Sequence, residues 1–177
     1  MRFGGGIMQR LEIEGGNRLS GEIQIQGAKN SALPLLAATI LAQGETVFVN
    51  CPKLSDIYAA CRILSYLGCK CKVSDESVTV NTSNLTNFEV PDELMREMRS
   101  SIIFLGAIIG RLGECKLSFP GGCELGPRPI DMHLSALRKM GITIKEEYGI
   151  FDCKVENELH GAKVSLPFPS VGATENI

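Results

Sequence analysis

A chain of 177 residues and 19.2 kDa is one domain with its own core or a piece of something larger. Apolar residues at 44% and a formal net charge of only −2 exclude a disordered chain, and 18 Lys+Arg against 20 Asp+Glu exclude nucleic-acid binding through bulk charge. No apolar run reaches the ~18 residues of a membrane span, and Met1–Gln9 lacks the apolar centre of a signal peptide.

Along the chain, Ser31–Gln43 is apolar on nearly every face and predicts a buried helix, with Asn30 or Ser31 as its cap, Pro34 in its first turn and Gly44 as its stop. A strand at Glu45–Val49 follows, then a helix capped at Ser55 or Asp56 and stopped at Gly68. Cys69–Val73 and Ser77–Asn81 alternate around a turn, as a hairpin does. The same succession then starts again. Ser100–Leu112 is a second apolar helix stopped at Gly113, and Cys115–Phe119 is a strand. Asp131–Met140 is a helix stopped at Gly141, and Ile142–Glu146 with Ile150–Val155 forms a second hairpin.

The landmarks recur in order, which is the mark of an internal repeat. Gly44 and Gly113 are offset by 69, Asp56 and Asp131 by 75, and Gly68 and Gly141 by 73. The extra residues of the second copy fall within Pro120–Pro129 (PGGCELGPRP). Leu159 and Gly161 echo Leu19 and Gly21 at an offset of 140, so a third copy begins there, and Ile177 falls where its first helix should start. The unit is about 70 residues of strand–helix–strand–helix–strand–strand, which predicts an α/β fold.

Seven cysteines stand at 51, 61, 69, 71, 115, 123 and 153. With no C-x-x-C and two histidines, neither a zinc site nor any other metal or cofactor is expected, and free thiols in a reducing cytoplasm are the simplest reading. Those at 61, 69, 71 and 153 fall in helix or strand patterns and belong to the core or the sheets.

Two constellations carry chemistry. Lys29–Asn30 and Arg99 occupy the same place in successive copies, at the entrance of the first helix, and Ser170–Thr174 holds that place in the third. Each is read most simply as solvated. A cation at a helix N-terminus is nevertheless electrostatically unfavourable, and its recurrence points to an anion held between the helix ends. The second constellation is the Pro120–Pro129 insertion, with three glycines and three prolines, which reads as a surface loop able to act as a lid. Cys123 lies in it, and Arg128 can bind a phosphate or carboxylate and favour the thiolate, although an exposed thiol without a role is the plainer alternative.

The segments GAKN (Gly27–Asn30), MRSSI (Met98–Ile102), PGGCxxGxRPxDxH (Pro120–His133) and PSVGAT (Pro169–Thr174) resemble the UDP-N-acetylglucosamine 1-carboxyvinyltransferases, over about Met8–Ile177. The Cys-loop signature is specific, whereas GAKN or SVGAT alone is weak. The shikimate-pathway enolpyruvyl transferases resemble the chain less, for want of that loop. The resemblance implies an α/β fold of two inside-out barrels, each of three such repeats, with the active site between them. This chain then holds a strand segment of the other barrel in residues 1–28 and an incomplete first barrel in residues 29–177, with copies at about 29–88 and 89–158 and the start of a third at 159–177. Met8 is a possible natural start.

The implied function is transfer of the enolpyruvyl group of phosphoenolpyruvate to the 3-hydroxyl of UDP-N-acetylglucosamine, with release of phosphate. This cytoplasmic step opens peptidoglycan synthesis, and with it cell-wall growth, cell shape and division. The implied partners are these two small molecules and the missing C-terminal barrel, with no nucleic acid and no membrane. Residue by residue, Cys123 is the general acid and the target of epoxide antibiotics such as fosfomycin. Lys29, Asn30 and Arg128 contact phosphoenolpyruvate. Arg99, Arg128, Pro129, Ile130, Asp131, Met132, Phe168, Pro169, Ser170, Val171 and Gly172 hold the UDP-sugar. The chain departs from some members at Phe168, where they carry Lys, and at Ile103, where they carry Trp. The general base, an Asp in the family, and a further Arg lie beyond Ile177, so the chain alone is expected not to turn over. Alternatives are a non-catalytic substrate-binding fragment, or a related enolpyruvyl transferase with another acceptor.

Overall fold

The structure, a computed structural model, describes residues 12–75, 77–121 and 129–177. Helix α1 spans Lys29–Ala38 and tightens into a 3-10 turn at Thr39–Leu41. Strand β1 (Glu45–Val49), helix α2 (Ser55–Tyr66) and strands β2 (Lys70–Val73) and β3 (Ser77–Asn81) complete the first unit. After a short helix α3 (Asp92–Arg96) come a 3-10 turn at Ser101–Ile103, helix α4 (Phe104–Leu112) and strand β4 (Glu114–Ser118). Helix α5 (Asp131–Lys139), strands β5 (Ile142–Glu147) and β6 (Ile150–Val155) and helix α6 (Val171–Asn176) follow.

The repeat read from the glycine spacing is present in the strand pairing. Each unit folds into a three-stranded antiparallel sheet, ordered β1-β3-β2 in the first and β4-β6-β5 in the second. Gly44, Gly68, Gly113 and Gly141 all take positive φ, where a Cβ would be strained, so each ends its helix in a conformation that other residues resist. At Gly68 the closing bonds are complete. Its N–H donates to Ser65 O at 3.1 Å, and the Cys69 N–H reaches back to Leu64 O at 2.9 Å.

The helices run through the middle and the sheets form the outer walls. α2 packs on the β1–β3 sheet, α4 packs on β4 and β6, and α1 lies against both α2 and α4. The alternation of each strand explains this. Val78 and Val80 on β3, and Cys115, Leu117, Phe151 and Cys153 in the second sheet, are buried under the helices. Glu45, Val47 and Val49 on β1 and Lys70 and Lys72 on β2 face out. Leu36, Ile63, Leu64, Phe104, Leu105, Ile108 and Ile109 fill the centre.

Several details differ from the sequence reading. α1 starts at Lys29, with Ala28 at the cap position and no side-chain cap, so Asn30 and Ser31 lie inside its first turn. Neither Ser55 nor Asp56 caps α2: Leu54 holds the cap position, both lie inside the first turn, and the Asp56 carboxylate is engaged by Lys29. α1 is not covered on all faces: Leu35 and Leu41 remain 53% and 56% exposed. Helix α3 carried no periodic signal in its five residues. Residues 12–28 and 159–166 belong to neither sheet, and a strand segment whose partners lie elsewhere has no ladder here to join. By contrast, residues 88–90 do run parallel along the free edge of β4. Val90 N–H donates to Lys116 O at 2.8 Å and Lys116 N–H to Phe88 O at 3.0 Å. The first helix of the third copy has already started as α6, capped by Ser170, whose Oγ accepts from Ala173 N–H at 3.3 Å.

α6 is docked by one contact that only glycine permits. The Asn176 backbone crosses α4 so closely that a Cβ on Gly106 would lie 1.9 Å from the Asn176 carbonyl oxygen. The Gly106 N–H, near the α4 start and without a helical partner, donates to Asn176 Oδ1 at 2.8 Å. The Asn176 Nδ2 in turn donates to His133 Nδ1 at 3.0 Å, which ties α6 to α5 as well. Gly106→Ala is therefore expected to lift residues 171–177 off α4, at about 1–3 kcal/mol. Hydrogen exchange would show lost protection in α6, with β4–β6 unchanged. In the centre, Phe104→Ala is expected to cost about 3–5 kcal/mol, read from urea unfolding.

Candidate functional site

The fold places the first turn of α1, the approach to α4 and the start of α6 around one cleft of about 530 Å³. Lys29 and Asn30 line it from α1, and Glu97, Met98, Arg99 and Ser100 from the chain before α4. Val171, Gly172 and Glu175 line it from α6, Asp56 from α2 and His133 from α5. Leu33, Pro34, Ile102 and Ile103 give it an apolar floor. The convergence follows from the repeat: helices in equivalent places, packed side by side, present equivalent ends to the same side.

Its electrostatics are mixed. The Lys29 ammonium donates to Asp56 Oδ2 at 2.7 Å, with side chains 45% and 25% exposed. Glu97 accepts from Arg62 Nε at 2.8 Å, so that carboxylate is largely neutralised from α2. Arg99 and the Asn30 amide make no hydrogen bond or ion pair among the described residues. Arg99 is thus the cleft cation with no carboxylate on it, whereas Lys29 must share its charge with Asp56. His133 is buried, and the Asn176 amide, whose oxygen is committed to Gly106, leaves Nδ1 as an acceptor. Neutral His133 then carries its proton on Nε2.

The sequence-derived site residues divide into groups. Lys29, Asn30, Arg99, Val171 and Gly172 come together in this cleft. Asp131 and Met132 line a second cleft, of about 240 Å³, against Val164–Pro167. Pro129 is exposed, and Ile130 is buried in the core at the cap position of α5. Phe168 and Pro169 are exposed and Ser170 caps α6, and none of the three lines the main cleft. Cys123 and Arg128 lie outside the described residues. The sequence reading missed Glu97, Glu175 and His133 as cleft residues. His133 stands in the quoted loop motif, and Asp56 was marked only as a helix cap. Among the described residues no group of three or more His, Cys, Asp or Glu could hold a metal ion. No helix of the described residues is long and apolar enough to cross a membrane.

Comparison with known proteins agrees with this architecture. The family described as EPSP synthase (3-phosphoshikimate 1-carboxyvinyltransferase) matches residues 13–177, and the chain belongs to it. Within that class the curated relatives carry a more specific name. UDP-N-acetylglucosamine 1-carboxyvinyltransferase 2 of Caldanaerobacter subterraneus subsp. tengcongensis is 49% identical over 170 residues, which is 96% of this chain. The UDP-N-acetylglucosamine 1-carboxyvinyltransferase of Thermotoga petrophila is 42% identical over the same share. The chain spans 40% of the length of these relatives and matches their N-terminal part. Among solved structures, the enolpyruvyl transferase NikO from Streptomyces tendae superposes with a TM-score of 0.70 at 26% identity, over 82% of this chain and 32% of that one. EPSP synthase from Acinetobacter baumannii shares the fold, with a TM-score of 0.62 at 18% identity over 88% of this chain and 36% of that one.

The Lys29–Asp56 pair is half exposed, so screening leaves it worth less than about 1 kcal/mol to stability. Asp56→Asn is accordingly expected to leave the urea midpoint nearly unchanged while freeing Lys29. Sulfate or phosphate would then bind the cleft more tightly, as titration calorimetry at low salt would register.

Proposed function

We propose that this chain is part of an enzyme transferring the enolpyruvyl group of phosphoenolpyruvate to the 3-hydroxyl of UDP-N-acetylglucosamine, releasing phosphate, in the cytoplasmic synthesis of peptidoglycan precursors. The observation that carries the reading is the meeting of Lys29, Asn30 and Arg99 with Val171 and Gly172 in one cleft, since the first two belong to GAKN, Arg99 to MRSSI and the last two to PSVGAT. Its support is the naming of relatives at 42–49% identity. On this reading the two repeats and α6 form most of an inside-out barrel. Residues 12–28, unpaired here with Leu19 92% and Ile23 89% exposed, take up their strand pairing in the sheet of a second barrel.

The chemistry suits the residues. Phosphoenolpyruvate brings a phosphate and a carboxylate, and an ion pair at about 4 Å gains roughly 1 kcal/mol in water but roughly 4 kcal/mol at an effective dielectric of ~20. Binding therefore needs several cations in a cleft that closes over its ligand. Lys29 and Arg128 supply them for phosphoenolpyruvate, with Asn30 as a neutral donor, and Arg99 adds a cation on the UDP-sugar side. Cys123 protonates the methylene carbon, C2 gains oxocarbenium character, and the sugar hydroxyl attacks it. A positioned acid typically contributes ~10²–10⁴-fold. The Arg128–Met132 and Phe168–Gly172 stretches hold the UDP-sugar. The base that takes the hydroxyl proton comes from the rest of the enzyme, so this chain binds without turning over.

Isothermal titration with UDP-N-acetylglucosamine and phosphoenolpyruvate is expected to show binding weakened about tenfold by Lys29→Ala or Arg99→Ala, the equivalent of about 1.4 kcal/mol, and weakened further by salt. Phosphate release by the 177-residue chain should not exceed that of its Cys123→Ala variant, and faster release would refute the division of the active site. In the longer enzyme Cys123→Asp, which keeps a proton donor, should retain activity that Cys123→Ala loses. Equal inactivity would remove Cys123 as the acid.

A further inference from the structure

The approach to α4 is held by an ion pair whose basic member lies outside the cleft. Met95, Met98 and Ser101 are buried, and the Ser101 hydroxyl donates to Met95 O at 2.7 Å, so this stretch is fixed from its inner side. Glu97 and Arg99 flank Met98 on the exposed side, and both line the cleft. Arg62 stands outside that lining, in the middle of α2. Its Nε donates to Glu97 Oε2 at 2.8 Å, and its Nη2 closes on the same oxygen. Both side chains are partly exposed, so screening leaves the pair worth little to stability. Its consequence lies in the field of the cleft.

The charges around the cleft show why. Among the described residues it is lined by the cations Lys29 and Arg99 and by three carboxylates, Asp56, Glu97 and Glu175. Asp56 already holds Lys29. On lining residues alone, negative charge exceeds positive, and an anion would be repelled. A free Glu97 carboxylate, two residues from Arg99 and on the same cleft, would compete with a ligand for the Arg99 guanidinium. Arg62 occupies that competitor from α2, with a planar fork that brings two N–H groups to one carboxylate oxygen. It does so without taking up space in the cleft, and it belongs to none of the motifs named above.

We propose that Arg62 is a positioning residue for anion binding: by engaging Glu97 it keeps the Arg99 guanidinium available to the phosphate groups of a ligand. The inference rests on the reading of the cleft as an anion site, and it adds to that site a residue that touches no ligand. Arg62 acts through Glu97, and Glu97 acts on Arg99, so the effect of removing Arg62 depends on both of the others.

The test is titration calorimetry of the 177-residue chain with inorganic pyrophosphate at low salt, a probe that needs the anion cleft but none of its specificity. Arg62→Met keeps an unbranched apolar stem at a partly exposed position of α2, and urea unfolding checks that the chain stays folded. It is expected to weaken pyrophosphate binding about fivefold, the order of one unit charge acting across a partly screened cleft. Adding Glu97→Gln to Arg62→Met is expected to restore the affinity, because the competing charge is gone. A bridge that merely held the turn in place predicts the opposite, since the double variant lacks the bridge too. In an Arg99→Ala background the Arg62→Met penalty is expected to shrink below about twofold, as coupled residues require. Unchanged binding in Arg62→Met, a double variant as weak as Arg62→Met, or an undiminished penalty without Arg99 would overturn the proposal, as would the absence of pyrophosphate binding by the unmodified chain. Failure of the enolpyruvyl reading has a different signature: the same variant pattern with pyrophosphate, but UDP-N-acetylglucosamine bound no more tightly than pyrophosphate.

Discussion

Helix α4 is the element that must be kept from water, and the rest of the architecture follows from covering it. Phe104, Leu105, Ala107, Ile108 and Ile109 are all buried, so the helix needs neighbours on most of its circumference. The second sheet covers one side through β4 and β6, α1 covers another, and α6 closes over Gly106. Burial of one Ile or Phe side chain is worth about 1.5–3 kcal/mol, so a helix with five buried positions outweighs any single polar contact nearby. That is why the sheets end up outside and the helices inside. The apolar content of the helices exceeds that of the strands, whose outer faces carry residues such as Glu45, Lys70 and Lys72.

The cleft is a by-product of the same packing. Helices that lie side by side in equivalent orientation bring their starts to one place, and those starts hold unpaired backbone donors. Side chains then tune the field. Asp56 and Glu97 hold the positive charge of Lys29 and Arg62 in check, whereas Arg99, also at the cleft, carries no ion pair among the described residues. Such a cleft gains most from a ligand carrying more than one negative group, since a single anion must compete with Asp56 for Lys29.

Helix α2 serves the cleft through its first turn, where Asp56 stands. Its seating against the first sheet is set at the other end, where Gly68 ends the helix and returns the chain through Cys69 into β2.

Much of this was legible in the residues themselves. The glycine stops, the alternation of the hairpins and the offsets near 70 specified two like units, because turn chemistry and side-chain periodicity are local properties. So did the motif spacing that singled out Lys29, Arg99 and Cys123. What local reasoning misplaced was decided by partners distant in sequence. Asp56 read as a cap until Lys29, 27 residues away, claimed its carboxylate. Residues 12–28 and 159–166 alternate like strands but have no edge to pair with, whereas residues 88–90 found one on β4. Glu97, Glu175 and His133 entered the cleft only because three helix ends met there. By itself the sequence determined the elements, the repeat and the chemical character of each motif. The tertiary structure alone decided which charges neutralise one another and which side chains share a cleft, since those depend on distances between residues that no spacing along the chain encodes.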